Sequence, residues 1–217
     1  MMKRDFKLIL LPIIGLLIFG LGLYYLNGKN TPETGSTEQT TYMSVEREGA
    51  PALGSPSAKV KIVEFFDPEC EACAAFHPVL KNALKDFSED VYFSARYMLY
   101  HGNSQEAANA LEASRVQGKF WEMQDIMFVR QEEWSHKKES AMPIFEKYAQ
   151  ELKLDLGKFK SDVTNPELRA NIAKDVADGN AASVRGTPSF YINNKPLAEL
   201  SDTGLRQAIV EEIKRLK

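Results

Sequence analysis

Two cysteines, three residues apart, stand between a strand-like run and a helix-like run, and no other feature constrains the chain as tightly. Residues 60–66 read VKIVEFF. A run so rich in β-branched and aromatic side chains predicts a buried strand. Asp67-Pro68 ends it. Apolar residues then recur at helical spacing: Ala72, Phe76, Val79, Leu80, Ala83, Leu84 and Phe87. Ser88-Glu89-Asp90 breaks that helix, and VYFSARYML at 91–99 predicts a second strand. Strand, helix and strand in this order form a βαβ unit, a parallel pair joined by a right-handed crossover. Cys70 and Cys73 therefore fall at the amino-terminal end of the helix. Free N–H groups and the positive end of the helix dipole favour a thiolate there.

These are the only cysteines among 217 residues. One pair is not a disulfide scaffold of the small secreted kind, and a chain of this length folds without one. A disulfide between residues three apart constrains little backbone, so a purely stabilising role is weak. Zinc needs four ligands. Cys70, Cys73 and His77 offer three, and His101 and His136 are distant in sequence. Haem attachment needs a histidine directly after the second cysteine, where this chain has Ala74. Thiol–disulfide exchange remains the strongest chemical explanation. Cys70, at the helix edge, is the expected nucleophile or leaving group, and Cys73, one turn in, resolves the mixed disulfide. No cofactor is implied.

Residues 8–26 run LILLPIIGLLIFGLGLYYL without a charge, close to the roughly 20 residues that span a bilayer as a helix. Lys3, Arg4 and Lys7 precede the run. The positive-inside rule then keeps the amino terminus in the cytoplasm and sends the rest across. A cleaved signal peptide is the competing reading, against which stand the length of the run and the lack of a prompt small-residue cleavage site. Either way the domain enters a compartment where disulfides form. Residues 27–41, rich in Thr, Gly, Ser, Asn and Glu, read as a flexible tether. The formal net charge is −3, and the first thirty residues hold four bases and one acid. The remainder, with 23 basic and 29 acidic residues, argues against nucleic acid as a partner.

Beyond residue 103 the pattern turns helical. QEAANALEASRVQ, KFWEMQDIMFV and IFEKYAQEL are amphipathic, and a further helix is expected from Pro166 to about Ala182. Phe120, Trp121, Met123, Met127, Phe128 and Trp134 read as core, with a client groove as the alternative. SFYIN at 189–193 predicts a strand, Asn193-Asn194-Lys195 a turn, and 196–199 a short strand. A final helix follows with Asp202 as its N-cap. Five segments result: a cytoplasmic stub and transmembrane anchor at 1–26, the tether at 27–41, a first αβ half at 42–103, a helical insert at 104–183, and a second half at 184–217.

GSPSAKVKIVEFFDPECEACAAFHP at 54–78 resembles the active-site segment of DsbA-like thiol–disulfide oxidoreductases of the thioredoxin superfamily. VRGTPSFYINN at 184–194 resembles their cis-proline loop. The likeness covers roughly residues 42–217. It implies an α/β thioredoxin fold with an inserted helical subdomain, here preceded by an N-terminal transmembrane helix. It implies that Pro188 is cis, faces the cysteines and, with Thr187, binds the substrate chain as an added strand; an isolated Gly-Thr-Pro would be an ordinary turn. It further implies that Glu64, six residues before Cys70, is a buried acid that exchanges a proton with Cys73. The alternative is a solvent-facing Glu on an edge strand. Pro78 matches the family's helix-kinking proline, and His77 reads as a packed helix residue.

The apolar run and its basic flank predict a single-pass protein of the bacterial cytoplasmic (inner) membrane, its domain on the periplasmic side, and residues 27–50 look too short for the dimerisation module that isomerases of the superfamily usually add, which favours a monomer. By the resemblance, it would act on exported cysteine-containing proteins and couple to a membrane redox partner, a quinone-linked oxidase or a transmembrane thiol carrier. Oxidase is the first expectation, reductase or isomerase the second, and an anchored chaperone without redox turnover stands outside both. One departure matters. The best-known oxidases of the family carry Pro-His between the cysteines, and this chain carries Glu71-Ala72. Glu71, with Glu69 nearby, disfavours the thiolate, so Cys70 is expected to be less acidic and the pair less oxidising than in those proteins.

Overall fold

A computed structural model describes residues 44–216. The expected anchor at 8–26 and tether at 27–41 lie outside the described residues. Among the described residues no helix is long and apolar enough to cross a membrane.

The elements run β1 (Ala52–Leu53), β2 (Val60–Phe66), α1 (Glu71–Asp86), β3 (Val91–Tyr97), α2 (Ser104–Arg115), α3 (Phe120–Val129), a 3₁₀ turn (Gln131–Glu133), α4 (Met142–Glu151), α5 (Leu156–Asp162), α6 (Pro166–Ala181), β4 (Ser189–Ile192), β5 (Lys195–Pro196) and α7 (Asp202–Arg215). The sheet order is β1-β3-β2-β4-β5. β2 pairs parallel with β3, Glu64 opposite Ala95, and antiparallel with β4, Glu64 opposite Phe190. β2 is thus the central strand, which removes the edge-strand alternative for Glu64.

Alternation along β2 divides the core. Val60, Ile62 and Phe66 join one apolar cluster with Cys73, Leu80, Phe190, Leu205 and Ile209. Val63 and Phe65 join a second with Val45, Met98 and Val184. Period-two alternation puts Glu64 on the first face, the face that carries the cysteines. Each fully buried Phe or Ile contributes roughly 1.5–3 kcal/mol of hydrophobic stabilisation. The insert shares the first core: Ala107, Leu111, Phe120, Met123, Trp134, Phe145 and Phe159 belong to the same cluster. The Met and aromatic residues of α3 and its loop are therefore mostly core, as their helical spacing predicts. Met123 and Trp134 are fully buried, and Trp121 is packed on Phe93.

α6 packs on β3 rather than only on the insert. Arg96 of β3, fully buried, donates from Nε to Asp175 Oδ1 at 2.8 Å and from Nη2 to Asp178 Oδ2 at 2.5 Å. Its third donor, Nη1, reaches the Val45 carbonyl at 2.8 Å, and Arg47 Nε adds a 2.5 Å bond to Asp175. Buried charges persist only when paired in this way. The cluster fastens the entering chain and α6 to the sheet.

The structure adds three elements or details to the sequence expectation. β1 is two residues long, too short to show a period. α5 is a single short helix capped by Asp155, whose side chain accepts from Lys158 N. The N-cap of α7 is Ser201, which accepts from Gly204 N, and not Asp202, which occupies the first turn.

Candidate active site

The α1 helix begins at Glu71, and Cys70 is its N-cap residue with an extended backbone (φ −78°, ψ 122°). Asp67 sets up this entry: its carbonyl accepts from Cys70 N at 3.1 Å, and its Oδ1 accepts from Glu69 N at 2.9 Å. Both cysteines are free thiols. Cys70 is 7% exposed and Cys73 1%, so the outer thiol is the reachable one.

The environment separates the two sulfurs. Cys70 is lowered from an ordinary thiol value to about 5. The hydrogen bond from Cys73 is the main cause; burial opposes it, and the Thr187 side chain and the N–H groups of Cys73 and Ala72 add to it. Cys73 moves the other way. Burial raises it, and the hydrogen bond to Cys70 and the charges of Glu64 and Cys70 raise it further. One thiolate shared unequally is what a nucleophile and a buried resolving thiol require.

Across from Cys70 lies the loop before β4. The Thr187–Pro188 peptide is cis, as the resemblance implies. Cys70 Sγ lies 3.3 Å from the Thr187 carbonyl oxygen. Next to it, Pro188, Ser189, Phe190, Tyr191, Pro196, Leu197 and Leu200 line a shallow depression. Glu64 sits behind the pair, 5% exposed. Desolvation raises its carboxyl to about 8, with the Cys70 charge as a second cause. The structure therefore brings Cys70, Cys73, Glu64, Thr187 and Pro188 to one place. His77 is elsewhere employed: its Nε2 meets Asp125 Oδ1 at 2.7 Å and its ring packs edge-on against Phe128. Pro78 lies inside α1.

The two glutamates flanking Cys70 behave differently from the expectation. Glu69 is fully buried, and its carboxylate accepts from Asn103 N and His136 N, each at 2.6 Å. Glu71 turns to solvent and pairs with His136 Nε2 at 2.7 Å. Both negative charges have partners other than the sulfur. With both glutamates in place, Cys70 still lies well below the ordinary thiol value. Sequence reasoning missed His101, in the loop between β3 and α2, and His136, which arrives from the insert. His101 Nδ1 donates to Asp67 Oδ2 at 2.8 Å.

A central parallel-antiparallel sheet, a dithiol at a helix start and a cis-proline facing it define a thioredoxin-fold dithiol protein with a helical insertion. A family model described as "Thioredoxin" matches residues 46–211. The chain belongs to that family, in its DsbA-like class of thiol–disulfide oxidoreductases. It is 27% identical over 220 residues to a probable disulfide bond formation protein D of Bacillus anthracis, covering 97% of this chain and 94% of that one. It is 33% identical over 144 residues to the Na(+)/H(+) antiporter NhaA 3 of Salinispora tropica, covering 65% of this chain. The chain spans only 21% of that antiporter's length. Among solved structures, oxidised BdbD of Bacillus subtilis superposes with a TM-score of 0.71 at 25% identity, covering 80% of this chain and 96% of that one. Wolbachia pipientis α-DsbA1 superposes with a TM-score of 0.69 at 16% identity, covering 79% and 96%, a likeness of fold.

Proposed function

We propose that the protein introduces disulfides into exported proteins through the Cys70–Cys73 pair. The observation that carries this reading is the acidic, reachable Cys70 set against a buried, non-acidic Cys73. In the oxidised enzyme, a substrate thiolate attacks Cys70 Sγ, the Cys70–Cys73 bond breaks, and Cys73 leaves with the electron pair. Cys73 must then take a proton, and Glu64, protonated well into the neutral range behind it, is the group that supplies one. A second substrate thiolate attacks the mixed disulfide, and Cys70 leaves as a stabilised thiolate. The substrate loses two electrons and the enzyme pair gains them. A stabilised leaving thiolate favours the reduced enzyme, and so favours oxidation of the substrate.

Thr187 and Pro188 hold the substrate chain beside Cys70, and the apolar depression along β4 takes its neighbouring side chains. Residues 8–26, with basic residues before them, support anchoring in the cytoplasmic membrane with the domain outside. The enzyme's two electrons then pass to a membrane partner, of which a quinone-linked oxidase fits an oxidising pair. Replacing Cys70 by Ser is expected to abolish oxidation of a reduced, unfolded model substrate by the full chain. Retained turnover would overturn the reading.

A further inference from the structure

The dipeptide between the cysteines, Glu71-Ala72, brings no positive charge to the site, yet two histidines stand beside it. His101, in the loop before α2, rests on Asp67, the residue whose carbonyl and carboxylate build the turn into Cys70. His136, in the loop before α4, rests on Glu71 through Nε2 at 2.7 Å and lies 3.9 Å from Glu69 through Nδ1. The two rings meet edge to face, with centroids 5.5 Å apart. Loop anchors hold both in place. His101 N donates to Ser104 Oγ, whose hydroxyl donates to Asp67 Oδ1 at 2.5 Å, and His136 N donates to Glu69.

We propose that His101 is a positioning residue that adds to the acidity of Cys70, supplying from the loop before α2 the positive charge that the segment between the cysteines lacks, while His136 engages the carboxylates of Glu69 and Glu71. The proposal rests on the reading of Cys70 as the reactive thiolate. Three carboxylates, Asp67, Glu69 and Glu71, crowd the entry to α1, and Glu64 lies behind the pair. Unanswered, these charges would destabilise a thiolate. From the cis-proline loop the Thr187 carbonyl comes within 3.3 Å of Cys70 Sγ, and the Arg185 charge acts on Tyr100. Of the two histidines, His101 is the one on which the Cys70 charge acts. Burial opposes its protonation, but the Asp67 hydrogen bond and charge, then the charges of Cys70 and Glu69, outweigh it and hold the imidazole above its ordinary value. The coupling is reciprocal: whatever a Cys70 thiolate does to hold a proton on His101, a charged His101 does to hold Cys70 as a thiolate.

The test uses the full chain and reads the Cys70 thiolate by its ultraviolet absorbance and alkylation rate across pH, together with the equilibrium constant against glutathione. His101→Gln is expected to raise the Cys70 pKa by about half to one unit, and to shift the glutathione equilibrium three- to tenfold towards a less oxidising pair. His136→Gln should shift both in the same direction by less, because Glu71 faces solvent. His101→Lys, which keeps the charge, should restore both values. A merely structural role moves the melting temperature without this charge-dependent rescue. An acidic wild-type Cys70 left unmoved by His101→Gln, or a His101→Lys variant no better than the Gln variant, would overturn this inference alone. A wild-type Cys70 of ordinary acidity would overturn it together with the proposed function.

Discussion

A thiolate held by the folded protein and absent from the unfolded chain ties the redox state of Cys70 to stability. Its pKa in the fold, about 5, lies below the ordinary thiol value of 9.0. For a depressed pKa, the stabilisation is fully present above the unfolded value and is lost as pH falls through the folded one. The dithiol protein should therefore gain stability over the disulfide form as pH rises from about 5 towards 9. Glu64, raised to about 8, works in the opposite direction: its contribution is present at low pH and lost as pH rises. Desolvation causes most of that shift and is common to both redox forms, so it largely cancels in the difference. Thermal melts of the two forms across this range should show the melting temperature of the dithiol form rising relative to that of the disulfide form; a difference that stays flat or moves the other way would contradict the assigned thiolate. Several of these residues are legible in sequence. Cys70, Cys73 and Pro188 announce themselves by motif, and Glu64 by its place in an apolar strand. His101 and His136 do not, because they reach Asp67 and Glu69 across 34 and 67 positions of chain. Only the folded chain brings them there. For the same reason, counting Glu69 and Glu71 as charges on Cys70 overstates them, since their partners, Asn103 and His136, lie far along the chain.

At the scale of elements, the strongest periods were the most informative. β2, α1 and β3 follow their apolar patterns to within a residue or two, because a buried strand and a half-buried helix leave little choice of face. β1 and α5 escape for lack of length, and capping is ambiguous where Ser201 and Asp202 stand side by side. How closely α6 approaches the sheet is also invisible in sequence. A Cβ placed on Gly179 would overlap the Met98 sulfur and lie 3.1 Å from the Phe65 ring. Ala favours a helix over Gly by about 1 kcal/mol, whereas overpacking a filled core costs about 1–3 kcal/mol. Met98 is flexible, but the Phe65 ring is fixed in the central strand with no exposure. Gly179→Ala should therefore destabilise by up to about 2 kcal/mol in denaturant titration. A stabilised variant would show that α6 can lift from the sheet without loss.

For the molecule as a whole, the helical insert is more than an appendage. It completes the apolar core shared with the sheet, brings His136 to Glu69 and Glu71, and helps sequester Glu69, so the surroundings of a short motif depend on residues far along the chain. The function then turns on one property of the intact protein, the direction in which the Cys70–Cys73 pair moves electrons. The equilibrium potential of the pair, measured against glutathione on the full chain, tests it. An acidic Cys70 opposite a non-acidic Cys73 predicts a value on the oxidising side of thioredoxin's about −270 mV, above about −200 mV. A value at or below about −250 mV would make the pair a reductant and contradict the assignment.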